Sequence, residues 1–186
     1  MNCPVCHSVE LSAEVVEDGL VMQTCPQCRG RFLTSSVYFD WLEVHGENLP
    51  EIPAVAVQVP ASGETNHAKR CPDCGAILVP YKAGRDTGFS LDRCFHCGGV
   101  WFDENEWEIL RARNLHDDVH LIFTRPWQDD VQQQEAARLR EVRLRATFGS
   151  GDYDELMRIK EWLDNHPKSR ELYSFLMHEA RVLPRP

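Results

Sequence analysis

With 186 residues, eight cysteines that all precede residue 98 and a formal net charge of −9, the chain reads as small modules stabilised by different means. The acidic balance argues against a generic polyanion binder, because affinity for nucleic acid rests on Lys and Arg neutralising phosphates. No basic segment leads into an apolar run at the N-terminus, and no apolar stretch nears the roughly 20 residues of a membrane span. The expectation is a cytoplasmic protein without membrane insertion.

The first predicted element is a hairpin over residues 11–16 and 20–24, turning at Glu17-Asp18-Gly19, where an Asp-Gly pair suits a tight turn. Cys3-Pro4-Val5-Cys6 precedes it and Cys25-Pro26-Gln27-Cys28 follows, with 18 residues between the pairs. Phe32-Leu33 then opens a predicted short helix over 36–45, with Thr34 or Ser35 as its cap. Residues 47–68, with Pro50, Pro53 and Pro60, read as a linker containing a short strand over 54–59.

At an offset of 68 to 69 residues the plan repeats. Cys71-Pro72-Asp73-Cys74 and Cys94-Phe95-His96-Cys97 stand 19 residues apart around a hairpin over 77–81 and 89–93, turning near Gly84 and Gly88. Trp101-Phe102 opens a helix over 104–113, and Asp103 with Glu106 has the spacing of a capping box.

Beyond the repeat, 119–124 predicts a strand closed by Pro126. Residues 128–147, rich in Gln, Glu, Arg, Ala and Leu, predict a helix of about five turns. Gly149-Ser150-Gly151 breaks it, and Asp152 with Glu155 has capping-box spacing for a helix reaching Asn165. His166-Pro167 forces a turn, and Leu172, Phe175, Leu176 and Val182 trace the apolar side of a last helix, giving an αα-hairpin. The expected fold is small α+β: modules over 1–46 and 69–113, each a hairpin plus short helix, a linker over 47–68 and a helical region over 114–186.

Two cysteines separated by two residues can offer both sulfurs to one tetrahedral metal, and a second pair across a hairpin completes the shell. Both quartets, Cys3/Cys6/Cys25/Cys28 and Cys71/Cys74/Cys94/Cys97, have this spacing and predict two Zn²⁺ ions, one per site. Disulfides fit poorly without an oxidising context, redox Cys-x-x-Cys motifs want an alternating strand and helix fold, and an iron–sulfur cluster suits the hairpins less than zinc does. His7 and His96 read as knuckle-surface residues, and His116-Asp117-Asp118-Val119-His120 as a solvated loop, so no site is assigned there.

The segment Cys94-Phe95-His96-Cys97-Gly98-Gly99-Val100-Trp101-Phe102-Asp103-Glu104-Asn105-Glu106 resembles the closing motif of the bacterial transcription-factor-IIB-type zinc ribbon, Cys-x-x-Cys-Gly-Gly-x-Trp-Phe-Asp-x-x-Glu. The first copy, Cys25-Pro26-Gln27-Cys28-Arg29-Gly30-Arg31-Phe32-Leu33-Thr34, keeps the cysteines and departs elsewhere. The resemblance covers about half the chain and implies fold and zinc, not a biological role.

A closed four-thiolate site and the lack of a nucleophile-and-base constellation point to a non-enzymatic adaptor, regulatory in character. Its ribbons would be platforms and its helical region would bind a protein partner, with Trp101, Trp107 and Trp127 as candidate exposed aromatics, although Trp101 reads better as packed. The alternative is nucleic-acid binding through a ribbon face and the cluster Arg138, Arg140, Arg143 and Arg145.

Overall fold

The computed structural model of the chain describes residues 1–46, 49, 61–65, 67–84 and 87–179; the strand expected over 54–59 and Val182 lie outside them. Strand β1 (Ser12–Glu17) pairs antiparallel with β2 (Leu20–Thr24), with Gly19 at φ +74° in the turn and a bulge between Val15 and Glu17. A third strand, β3 (Arg31–Leu33), then pairs with β2 and leads into helix α1 (Ser35–His45). The second copy repeats the plan with β4 (Leu78–Lys82), β5 (Ser90–Cys94), β6 (Val100–Phe102) and α2 (Glu106–Ala112).

Phe32-Leu33 and Trp101-Phe102, expected to open helices, therefore lie in strands. Three residues are too few to display an alternating pattern, so the sequence hid these elements. They are also where the copies join: β3 and β6 pair with each other, Arg31 opposite Phe102, Phe32 opposite Trp101 and Leu33 opposite Val100. The result is one six-stranded sheet of order β1-β2-β3-β6-β5-β4. Phe32 and Trp101 hold equivalent places in the repeat and face each other, so an approximate two-fold axis passes between them.

Alternation along these short strands sorts side chains to two faces. Leu33, Val100 and Phe102 join Leu20, Met22, Tyr38, Trp41, Leu91, Trp107 and Leu110 in a core under the helices. Phe32 and Trp101 point the other way, into a second core containing Cys3, Cys25, Cys71 and Cys94. Each core draws on both copies.

The segment after α2 differs from expectation. Residues 119–124 contain a short helix, α3 (Val119–Ile122), not a strand. Val119 and Ile122 are three residues apart, a spacing that puts both on one helical face, and both are buried. His116 is no solvated loop residue: it is 4% exposed, with ring centroids 6.1 Å from Trp41 and 6.0 Å from Trp107. The Tyr38 hydroxyl donates to the Asp117 carbonyl at 2.7 Å, which ties this segment to α1.

Helix α4 (Arg125–Phe148) takes Pro126 into its first turn, where a missing N–H costs little. Two compact units divide the chain, Met1–Gln134 and Glu135–Pro186. The second contains the end of α4, α5 (Ser150–Asp164) and α6 (Ser169–Glu179). The predicted αα-hairpin is present, and the Tyr173 hydroxyl on α6 donates to Asp164 Oδ1 at 2.6 Å. Helix α5 begins at Ser150 after Gly149, so Asp152 is not its cap; it sits in the first turn, where a carboxylate suits the helix dipole. Among the described residues no helix is long and apolar enough to cross a membrane.

Candidate metal centres

Each of the four Cys-x-x-Cys segments folds into the same knuckle. The residue after the second cysteine donates its N–H to the carbonyl of the first: His7 to Cys3 at 2.9 Å, Arg29 to Cys25 at 3.0 Å, Gly75 to Cys71 at 2.9 Å and Gly98 to Cys94 at 3.0 Å. All four donors have positive φ, +59°, +60°, +76° and +75° in that order. The second copy meets this left-handed requirement with glycine, whereas the first uses His7 and Arg29, at a cost of about 1 kcal/mol each. The first cysteine of each knuckle donates its own N–H onward, to Val9, Gly30, Ala76 or Gly99 at 2.7 to 2.8 Å.

Knuckles facing each other across a hairpin bring four sulfurs together. In each quartet the Sγ atoms lie within 4.8 Å of one another. Cys3 and Cys28 are 3.5 Å apart, Cys6 and Cys25 3.9 Å, Cys71 and Cys97 3.5 Å, and Cys74 and Cys94 3.4 Å. A tetrahedral zinc with bonds of about 2.3 Å sets its sulfurs about 3.8 Å apart, so a small inward or outward adjustment fits both quartets to the ion. None of the eight cysteines is in a disulfide. When bound, the ion supplies cross-linking and charge compensation; a filled four-thiolate shell leaves it no position for water.

The thiols differ in readiness to ionise. Burial opposes ionisation of Cys25, but backbone N–H groups of Cys28 and Gln27 and neighbouring thiols outweigh it and bring the group to about 7. Cys94 reaches about 7 in the same way, against burial, through the N–H groups of Cys97 and His96 and the thiols of Cys74 and Cys97. Burial pushes Cys3, Cys28, Cys71 and Cys97 upward.

His7 and His96 are exposed on the knuckles, as expected of surface residues. Among the described residues, the two cysteine quartets are the only groups of three or more clustered metal-capable side chains, so His116 to His120 form none.

Beside the second site lies a buried polar network that the sequence only half disclosed. Trp101 Nε1 donates to Asp103 Oδ1 at 2.7 Å, and Asp103 Oδ2 accepts from the Thr65 N–H and hydroxyl, both at 2.7 Å. Lys69 Nζ donates to Asp92 Oδ2 at 2.5 Å, Asp103 Oδ2 at 3.1 Å and the Thr65 carbonyl at 2.9 Å, using all three of its protons. Burial disfavours the Lys69 charge, yet Asp92 and Asp103 outweigh it and raise its pKa. Lys69 and Asp92 each stand two residues before a cysteine, Cys71 and Cys94, and that parity was the available signal. The Asp103/Glu106 capping box is half formed: Glu106 Oε2 accepts from the Asp103 N–H at 2.8 Å, while the Asp103 carboxylate serves the network.

Burial raises the Glu106 carboxyl to about 9, reinforced by Asp103 and Asp92 and opposed by the Asp103 N–H and Lys69. The unfolded carboxyl ionises near 4.5, so between those values the folded state holds an extra proton and stability falls as pH rises. Glu106→Gln, neutral throughout, should therefore gain on the native protein by about 3 kcal/mol between pH 6 and 8.5. Urea unfolding of both zinc-loaded proteins at each pH measures this; parallel pH profiles would refute it.

Cysteine knuckles on paired hairpins define a zinc ribbon, here present twice. Residues 2–44 and 70–113 match the family described as Transcription factor zinc-finger, a TFIIB-type zinc ribbon, and the chain carries two tandem copies of that domain. No curated protein and no solved structure matches the chain.

Proposed function

We propose that the protein is a non-enzymatic, cytoplasmic regulatory adaptor whose eight cysteines hold two structural zinc ions and whose helical region binds a protein partner. The observation that carries this reading is the apolar surface of α5 and α6: Leu156, Ile159, Trp162, Phe175 and Leu176 are all 43–61% exposed. Large exposed apolar patches on a folded chain mark interaction surfaces. Trp101 and Trp107, candidate anchors in the sequence, are buried, and Trp127 is half-buried with its Nε1 donating to the Ala83 carbonyl. The aromatic anchors of the helical region's surface are accordingly Trp162 and Phe175. A shell of four thiolates around each zinc favours a structural role over a catalytic one.

A second reading, nucleic-acid binding, draws support from the ribbon family's description and from Arg138, Arg140 and Arg143, which stand exposed along α4. The net charge of −9 weighs against it. The two readings separate in one experiment. Zinc-loaded protein immobilised at low salt should retain a specific protein and no DNA or RNA, and Trp162→Ala with Phe175→Ala should release that protein. Retention of nucleic acid, lost on Arg138→Glu with Arg143→Glu, would replace the adaptor reading with the second.

A further inference from the structure

The second unit, Glu135–Pro186, has three helical segments and almost no core. Among its described residues Leu163 is the one buried large hydrophobic, while Leu139, Val142, Phe148, Leu156, Met157, Ile159, Trp162, Phe175, Leu176 and Met177 remain exposed. At about 100° per residue, the apolar positions of α5 from Tyr153 to Leu163 sweep roughly 220° of its circumference. One neighbouring helix covers far less than that, so α6 alone cannot shelter α5.

Charge indicates what does. On α4 after Glu135, Arg138, Arg140, Arg143 and Arg145 outnumber Glu141, whereas α5 carries Asp152, Asp154, Glu155, Glu161 and Asp164 against Arg158 and Lys160. The balance is therefore positive on α4 and negative on α5, where Glu155 and Asp164 already pair with Arg158 and Lys160 of the same helix. The complementarity already works within the chain, where Arg145 bonds Asp154 at 2.9 Å and lies 4.4 Å over the Tyr153 ring. A second copy presents the same two signs, and a two-fold axis that sets the α4 of each copy against the α5 of the other brings Arg138, Arg140 and Arg143 towards Asp152 and Glu161.

The area is sufficient. Leu156, Ile159, Trp162, Phe175 and Leu176, each about half exposed, offer on the order of 500 Å², which supplies the apolar share of a standard interface of about 800 Å² per partner.

We infer that residues 135–179 form a dimerisation surface whose occupant is a second copy of this chain, with apolar faces of α5 and α6 packed at the centre and α4 arginines against α5 carboxylates at the rim. This rests on the reading of the helical region as a protein-binding element and names its partner.

Light scattering and sedimentation of the full zinc-loaded chain test it. The native protein should have twice the 21.4 kDa chain mass at micromolar concentration. Ile159→Glu with Trp162→Glu should raise the dimer dissociation constant at least about 100-fold, with two zinc ions retained and far-ultraviolet dichroism unchanged. Arg138→Glu with Arg140→Glu and Arg143→Glu, all at exposed positions, should weaken the dimer about tenfold, and added salt should weaken the native dimer in the same direction. A dimer indifferent to both sets of variants would overturn the proposal. So would a monomeric native protein. A monomer that captures a different protein through Trp162 would overturn the second-copy assignment and leave the adaptor reading standing, whereas a monomer that captures none would overturn both.

Discussion

Exhaustive chelation of the zinc-loaded protein is expected to remove two metal ions and to unfold both ribbons in one transition. Each ribbon is about 45 residues, a size at which apolar burial alone rarely suffices, and structural zinc contributes about 10 to 16 kcal/mol of apparent binding free energy in modules of this kind. The coupling between ribbons follows from the cysteine-lined core, where Cys3 and Cys25 pack with Cys71 and Cys94 around Phe32 and Trp101. Loss of either metal exposes side chains that support the other copy.

Cys94→Ser is the sharper test, because Cys94 is fully buried at the end of β5 and neighbouring N–H groups and thiols bring its own thiol down to about 7. Native mass spectrometry should find one zinc instead of two, and the thermal transition of the first unit should fall by tens of degrees or vanish. Cys25→Ser should behave alike from the other side of the axis. The helical signal of α5 and α6, which contain no cysteine, should persist in both. A chelated protein that retains the native transition, or a variant that still holds two ions, would overturn the assignment of these sulfurs as ligands.

What could be read from the sequence, and what could not, follows from the length over which each feature is encoded. Metal ligands at fixed spacing and the Asp-Gly turn need only a few residues, and the cysteine quartets and both hairpins were accordingly visible. Long helices announce themselves by periodicity, so α4 and α5 were found with small errors at their ends, and α6 was found within its described residues. The third strand of each ribbon spans three residues, and nothing in Arg31–Leu33 or Val100–Phe102 states that it will pair with its counterpart in the other copy. That pairing depends on sites nearly 70 residues apart, which no local pattern reports. His116 misled for a related reason: a histidine followed by two acids reads as solvated, and only packing against Trp107 and the distant Trp41 makes its position a buried one. Lys69 and Asp92 were passed over because charged residues are rarely interior, and their burial is compensated across 23 and 34 residues of chain by contacts to Asp92 and Asp103.

The seam between the copies should be the most sensitive apolar feature of the protein. Gly30 and Gly99 are equivalent in the repeat, and each receives the other copy's aromatic ring: a methyl group added to Gly30 would fall within the Trp101 indole, and one added to Gly99 would meet the Phe32 ring. Neither ring can retreat. Trp101 is fully buried and anchored through Nε1 to Asp103, and Phe32 is 1% exposed. Gly30→Ala and Gly99→Ala are each expected to cost about 3 kcal/mol, at the upper end for overpacking, because the clash lies between backbone-borne and immobile groups. Trp101→Ala should cost about 3 to 5 kcal/mol through the cavity it leaves, and it also deprives Asp103 of a donor. If the clash at Gly30 is with the indole, then Gly30→Ala combined with Trp101→Leu should cost less than the sum of the two single changes, a coupling of 1 kcal/mol or more. Urea unfolding of the four zinc-saturated proteins measures it. Additive costs, or a Gly30→Ala protein as stable as the native one, would mean that the two ribbons do not meet through β3 and β6 as described. Single changes that lower stability while leaving two zinc ions bound would place the damage at the seam and not at the metal sites.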